Sequence, residues 1–129
     1  MPYGLHWESK NTIWVQFYGA VSVADLNNAT NDVYNDHRSD HLSHAYWDFT
    51  DMTAFNVGKE AVSEIAFIDN AASRYMKPMK AAFVTRDADF TTLAEHYIEE
   101  MNQLESYWTN RLFATMAEAR VWMSDADSA

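Results

Sequence analysis

Apolar residues occupy alternate positions in two stretches near the start of the chain, at Leu5, Trp7, Ile13, Val15 and Phe17. This period of two is typical of strands that bury one face. The polar residues 9–11 separate the two stretches, so we predict an antiparallel hairpin. We expect Gly19 to end the second strand of this hairpin.

Further along, apolar residues recur every three or four positions, which is the spacing of a helix with one buried face. This pattern predicts four helices, over residues 22–36, 59–76, 87–108 and 115–123. Ser22 and Asp25 have the spacing of an N-terminal cap followed by an acidic first turn. Pro78 excludes continuation of the second helix. Asp87 or Asp89 is expected to cap the third.

Short apolar runs between the helices predict three more strands, over residues 44–49, 80–85 and 111–114. The order of elements is then ββαβαβαβα. Strands separated by helices pair in parallel through right-handed crossovers, and the hairpin adds an antiparallel edge. We therefore predict one α/β domain over residues 1–123 and a flexible tail at 124–129. The domain would hold a mixed, mainly parallel sheet of about five strands with about four helices.

Composition and charge restrict the classes of function. The 129 residues carry a formal net charge of −10, which repels nucleic acid and anionic membranes, so we expect no nucleic-acid partner. The chain has no cysteine, which excludes disulfides and cysteine-based metal or redox sites. It has no apolar run of transmembrane length, and its first ten residues lack the pattern of a signal peptide. We therefore expect a cytoplasmic protein.

Catalytic and cofactor motifs are also missing. The sequence contains no G-x-S-x-G, no glycine-rich phosphate loop and no H-E-x-x-H, so we predict a protein that is not an enzyme and needs no cofactor. On a continuous helix, His37, His41 and His44 would share one face and could hold Zn²⁺ or Ni²⁺. Because His44 is expected to belong to the following strand, we favour a solvated connection over a metal site.

Three stretches spread over most of the chain form a characteristic series: FYGAVSVADL at 17–26, AYWDFTDMTAF at 45–55 and RLFATMAEARVWM at 111–123. In this order and spacing, they resemble the STAS domain, the fold of bacterial anti-sigma factor antagonists, and more closely the stand-alone SpoIIAA-like proteins of bacteria. The resemblance implies a signalling module that acts by contact with a regulatory protein partner.

In the antagonists, a partner kinase phosphorylates a serine at the start of the second helix. The phosphate adds about −1.5 to −2 charges beside the helix N-terminus and so changes docking. The matching stretch here, residues 50–60, has no serine, and Thr50 and Thr53 precede the position that the motif needs. The contact surface implied by the resemblance is Asp48, Thr50, Asp51, Thr53, Asn56, Gly58 and Lys59. For Asp48 itself, we favour a structural role, because Asp readily accepts hydrogen bonds from nearby backbone.

An alternative function follows from the many large apolar residues, which include seven Met, seven Phe, seven Tyr and five Trp. If the second and third helices were to part, a cleft for a small apolar ligand or lipid could open, as in the similar CRAL-TRIO fold. Its candidate residues are Phe55, Ile65, Phe67, Ile68, Phe90, Tyr97 and Met101. Arg74, Lys77 and Lys80 could contact a lipid headgroup and hold the protein at a membrane surface. The hairpin edge leaves homodimerisation open.

Overall fold

A computed structural model of the chain describes residues 2–76 and 78–124. The strands are β1 (Tyr3–Ser9), β2 (Thr12–Ser22), β3 (His44–Asn56), β4 (Lys80–Val84) and β5 (Thr109–Phe113). The helices are α1 (Val23–Asn35), a 3-10 helix (His37–His41), α2 (Lys59–Ser73), α3 (Ala88–Gln103) and α4 (Met116–Ser124). The predicted tail, 124–129, lies outside the described residues apart from Ser124, so its flexibility stays a prediction.

The five strands lie side by side in the order β1-β2-β3-β4-β5. The first pair is antiparallel and the other three neighbouring pairs are parallel. The predicted α/β fold, with its mixed sheet and antiparallel edge, is therefore confirmed, and β4 and β5 differ from their predicted bounds by at most two residues. α1, α2 and α3 pack on one face of the sheet, and α4 covers the other face through Ala119 and Trp122.

Two strands are longer than the sequence predicts. β2 continues through Gly19 to Ser22, and β3 continues past Phe49 to Asn56. The two extensions pair with each other, with irregularities in register. β4 pairs with β3 only as far as Asp48, so the β3 extension lies beyond the rest of the sheet, and most of its side chains are exposed. Because most of these side chains are exposed, residues 50–56 have the polar composition of a loop although they form a paired strand.

α2 is shorter than predicted and ends at Ser73 rather than Met76. The N–H groups of residues 74–76 bond back to the carbonyl groups of Ala71 and Ala72. These bonds close the helix in a tightened final turn before Pro78.

α3 also ends early, at Gln103, so Trp108 is not on its inner face as predicted. Glu105 follows in the left-handed conformation with φ of 56°, and the Ser106 N–H donates to the carbonyl of Met101 at 3.1 Å. A helix ending of this kind usually contains glycine. With glutamate there instead, the sequence carries no signal for the end of the helix.

Aromatic rings connect the sheet to the helices above it. Phe17 stacks on Phe49 with ring centroids 4.6 Å apart, and Phe49 contacts Phe90 of α3 at 4.5 Å. Pairs of this kind contribute about 0.5–1.5 kcal/mol beyond the burial of their area. At the start of α1, Ser22 and Asp25 form a capping box, which confirms the predicted helix start.

Candidate functional site

The predicted contact surface lies where β3 runs beyond the sheet and the chain turns into α2. Six of its seven residues are exposed there, namely Thr50, Asp51, Thr53, Asn56, Gly58 and Lys59, and we name these six the junction surface. Gly58 is the N-cap residue of α2 and makes no side-chain cap. The start of α2 therefore has no hydroxyl group at its N-cap.

Asp48, the seventh predicted residue, is only 3% exposed. Its Oδ2 accepts a hydrogen bond from Nε1 of Trp14 on β2 at 3.0 Å. Its Oδ1 accepts from the Thr50 N–H at 3.0 Å and from the Thr50 hydroxyl at 2.5 Å. The bond from Trp14 joins β2 to β3, and the two bonds from Thr50 are local to β3. Burial removes Asp48 from the surface that a partner could touch.

A second exposed surface lies on the solvent-facing side of α2. Phe67 is 68% exposed and Ile68 is 58% exposed, and Tyr75 just beyond the helix is also exposed. We name these three residues the outer patch. In this structure Phe67 and Ile68 therefore lie in water on the outside of α2, and a cleft that opens when α2 and α3 part stays a prediction. α2 has apolar residues on both sides, so helical spacing alone could not distinguish its inner side from its outer side.

A cavity of about 80 Å³ lies between the sheet and helices α1, α2 and α3. Its walls are mainly apolar and aromatic. Of the residues predicted for a cleft, Ile65, Phe90 and Tyr97 line it. Phe55 packs edge-on against Phe90 with ring centroids 5.1 Å apart, and Met101 is fully buried in the core. Three of the seven predicted cleft residues thus lie on the cavity wall.

The two helices predicted to part are joined by side-chain hydrogen bonds. The Ser63 hydroxyl on α2 lies 2.9 Å from Nε2 of His96 and 3.1 Å from Oε1 of Glu100, both on α3. Opening of α2 away from α3 would have to break these contacts. A gate at this place stays a prediction.

A buried carboxyl group lies in the cavity wall. Asp69 on α2 is 7% exposed, and it accepts hydrogen bonds from the hydroxyl groups of Tyr97 at 2.6 Å and Tyr34 at 3.1 Å. Burial raises the pKa of Asp69 to about 6, while the two hydroxyl donors lower it. Burial and the neighbouring Asp69 raise the pKa of both tyrosines, so their protons stay on the hydroxyl groups.

Two further polar side chains line the same cavity without partners. Nε1 of Trp108 and both Oδ1 and Nδ2 of Asn110 are buried, and none of these atoms has a hydrogen-bond partner among the described residues. In native proteins nearly all such atoms are paired. These atoms are enclosed by neighbouring groups, and the surface of the cavity itself is almost entirely apolar.

The sequence analysis identified Tyr97 as a cleft residue but did not identify Asp69 or Asn110. One signal was present: Asp69 continues the buried series Val62, Ala66 and Ser73 on the inner side of α2. A carboxyl group on the apolar side of a helix is rarely buried without a partner. No comparable signal existed for Asn110, because its neighbours across the sheet are distant in sequence.

The three histidines lie on two different elements rather than on one continuous helix. His37 and His41 lie on the 3-10 helix, and His44 begins β3, where its Nδ1 is 2.7 Å from Oγ of Ser43. Within the described part of the chain, no group of three or more His, Cys, Asp or Glu side chains is placed to hold a metal ion. Among the described helices, none is long and apolar enough to cross a bilayer.

Two of the cations predicted to contact a lipid headgroup, Arg74 and Lys80, make contacts with other parts of the chain. The Arg74 guanidinium lies 5.0 Å from the ring centroid of Tyr107. Lys80 donates to the carbonyl of Trp122 on α4 at 3.3 Å, on the other face of the sheet. Lys77 lies outside the described residues. Contact of these side chains with a headgroup stays a prediction.

Comparison with known proteins gives one structural match. No protein-family model matches the sequence, and a search of curated proteins found no significant match. A solved structure of the anti-sigma factor antagonist SpoIIAA in its unphosphorylated form matches with a TM-score of 0.57 and 10% sequence identity. The match covers 92% of this chain and 94% of that chain. This chain has the SpoIIAA fold.

The SpoIIAA fold, which is the predicted STAS-like fold, accounts for the strand order and for the place of α2 after β3. At 10% identity it does not determine the side chains of the surfaces and the cavity. The outer patch and the polar residues of the cavity wall are therefore described from the side chains of this chain alone.

Proposed function

We propose that this chain is a non-enzymatic regulatory module that acts by binding another protein. Its fold supports the proposal, because the matching structure belongs to an anti-sigma factor antagonist. The binding surface would consist of the junction surface and the outer patch. Because residues 50–60 contain no serine, the proposed module works without the phosphorylated residue of the antagonists.

The observation that carries this proposal is the exposure of apolar side chains on α2. Phe67 and Ile68 are neighbours in sequence, and both are more than half exposed. They lie on the helix that starts at the junction surface, so one partner could cover both regions. Clustered exposed apolar residues are typical of protein contacts, in which large apolar side chains fill pockets on the partner.

Charge indicates the chemistry of the partner. Glu60 and Glu64 are exposed on the same helix, and the whole chain carries a net charge of −10. A partner with an apolar pocket and a rim of Lys or Arg would complement both the apolar and the acidic groups. Such a charge pattern raises the rate of association and makes it decrease with salt.

Affinity capture with three baits tests this proposal. The baits are the native chain, the double variant Phe67→Ser/Ile68→Ser, and Val121→Ser as a matched control. Val121 is 71% exposed on α4, away from α2. We expect one basic protein to be captured by the native chain and the control and to be reduced more than tenfold on the double variant. Equal capture of every protein by all three baits would refute the proposed surface.

A second candidate function, binding of a small apolar ligand, is favoured by the cavity. The walls of the cavity are mainly apolar, so a small apolar ligand that enters it removes its own surface and part of the walls from water. A ligand that binds only the folded protein stabilises the fold.

Native mass spectrometry of the purified protein tests this second function. Ala94→Phe on α3 places a ring in the cavity wall, and Ala88→Phe makes the same change at an exposed position of the same helix. We expect a bound small molecule on the native chain and on the Ala88 variant, and its loss from the Ala94 variant. Equal retention by both variants would place the ligand outside the cavity.

A further inference from the structure

The part of β3 that runs beyond the sheet has one edge that no other strand covers. β2 pairs with it on one side as far as Asn56, whereas β4 pairs with β3 only as far as Asp48. The N–H of Thr50 bonds to the carboxylate of Asp48. In the described part of the chain, residues 51–56 therefore have no strand neighbour on the side that faces away from β2. We name this side of residues 51–56 the open edge.

The open edge is accessible to another molecule. Asp51, Thr53, Ala54 and Asn56 are all exposed. Ala54 has only a methyl group as its side chain, so no bulky group of its own shields the backbone there. Alternate residues of a strand direct their N–H and C=O groups to opposite sides. Water binds the groups of an exposed edge, and an extended segment that lies along the edge replaces this water with backbone hydrogen bonds.

Acidic groups predominate around the open edge. Phe90 of α3 packs against Phe55 of β3 with ring centroids 5.1 Å apart, so the start of α3 lies beside the β3 extension. The exposed stretch 86–89 at this start contains two aspartates and one arginine, and Asp51 is exposed on the extension itself. Together with the net charge of −10, these groups attract a segment that carries Lys or Arg.

The same charges argue against the two occupants that the chain itself could supply. A second copy would bring the same net charge of −10 and another Asp51 to the edge. Residues 125–129 carry two aspartates and no Lys or Arg, so they would also be repelled. A basic segment of a different protein meets no such repulsion.

We infer that the open edge is a site of strand addition, at which an extended segment of a partner protein, bearing Lys or Arg, pairs with residues 51–56 of β3. The backbone of the segment supplies the hydrogen bonds, and its cationic side chains lie near Asp51 and the acidic start of α3. This inference rests on the proposed binding of a partner protein, and it adds the conformation and the charge of the segment that is bound.

Four short peptides with blocked termini serve as probes. The parent peptide alternates Val, which favours an extended strand, with Lys, which supplies the cations. Two further peptides keep these side chains and carry N-methyl groups on alternate residues, at the Val positions in one and at the Lys positions in the other. Each of them therefore lacks N–H donors along one edge only. The fourth peptide has Glu in place of Lys. Dissociation constants and hydrogen exchange are measured by NMR on the full-length ¹⁵N-labelled protein.

We expect the parent peptide to bind and to slow hydrogen exchange of amides within residues 51–56. An added strand uses only one of its edges, so one methylated peptide should bind at least about tenfold more weakly than the other, the equivalent of one hydrogen bond or more. Equal affinities of the two methylated peptides would refute strand addition. Binding of the Glu peptide as tight as that of the parent would refute the requirement for a basic segment.

Two charge reversals test the position of the site. Asp51→Lys changes the charge at the open edge, and Asp40→Lys makes the same change at an exposed position of the 3-10 helix, which precedes the opposite end of β3. Both variants have the same net charge, so a difference between them reports the local contact alone. We expect the parent peptide to bind Asp51→Lys roughly threefold more weakly than Asp40→Lys. Equal affinities would refute this location.

The outcomes separate this inference from the function on which it rests. If the parent peptide leaves the resonances of residues 51–56 unchanged while affinity capture still returns a basic protein that depends on the outer patch, strand addition is refuted and partner binding is retained. If the capture also returns no such protein, both are refuted. Resonances of residues 51–56 that shift with the concentration of the protein alone would identify a second copy as the occupant and refute the basic partner segment.

Discussion

The carboxyl group of Asp69 makes the stability of the fold depend on pH in a defined direction. Burial raises its pKa from 3.8 to about 6, although hydrogen bonds from Tyr97 and Tyr34 lower it. The folded protein therefore holds this proton more tightly than the unfolded chain does. The resulting stabilisation is complete below about pH 4 and is lost as the pH rises through about 6.

The size of this effect follows from the change in pKa. A rise of roughly two units corresponds to about 3 kcal/mol, at about 1.4 kcal/mol per unit. Part of the change falls outside any convenient pH range, so about 2 kcal/mol is expected between about pH 4.5 and pH 7. Asp69→Asn keeps the shape of the side chain and cannot ionise. The free energy of unfolding of this variant, minus that of the native chain, should therefore increase by about 2 kcal/mol over this interval.

Urea unfolding at several pH values, followed by tryptophan fluorescence, measures this difference. Subtraction of the two curves removes the contribution of the other carboxyl groups, which titrate in both proteins. Glu64→Gln is the matched control, because this exposed side chain on the same helix stays in water in both states. We expect its curve to run parallel to the native curve. Parallel curves for Asp69→Asn as well would refute the reasoning, since they would mean that folding leaves the pKa of Asp69 unchanged.

Three further substitutions give expected changes in the free energy of unfolding, each measured by urea unfolding. Tyr97→Phe removes a donor to Asp69, so it should lower stability at pH 7 by about 1–3 kcal/mol and extend the pH dependence to higher pH. Gly19→Ala should lower stability by about 1–2 kcal/mol, because φ is 69° and an added Cβ meets no neighbour, so the cost comes from the backbone alone. Ser22→Ala breaks the capping box of α1 and should cost about 1 kcal/mol; no change would mean that water replaces the cap.

The elements whose local pattern agrees with their final environment could be predicted from the sequence. The alternation at Ile13, Val15 and Phe17 gives the buried side of β2, because α1, α2 and α3 cover that side. The strand extension over residues 50–56 could not be predicted, because only β2 pairs with it and nothing buries most of its side chains. Its strand character depends on a partner that lies far away in sequence.

The candidate site was predicted only in part, for the same reason. The junction surface was predicted from the resemblance to the anti-sigma factor antagonists, and its six residues are exposed, while its role as a contact surface stays a prediction. The cavity wall depends on the meeting of Asp69 with Tyr34 and Tyr97, which come from three different helices. Asn110 joins them from the edge strand of the sheet. Such a meeting is a property of the tertiary packing, and no spacing along the chain encodes it.

The two sides of α2 have different physical explanations. The inner side, with Val62, Ala66 and Asp69, is accounted for by the core and by the cavity wall. Folding does not explain the outer side, because Phe67 and Ile68 remain largely in water and gain little from the hydrophobic effect. We therefore expect Phe67→Ser/Ile68→Ser to change the free energy of unfolding by less than about 0.5 kcal/mol per residue. A larger loss in urea unfolding would mean that these side chains support the fold, and the argument for a partner surface would then fail.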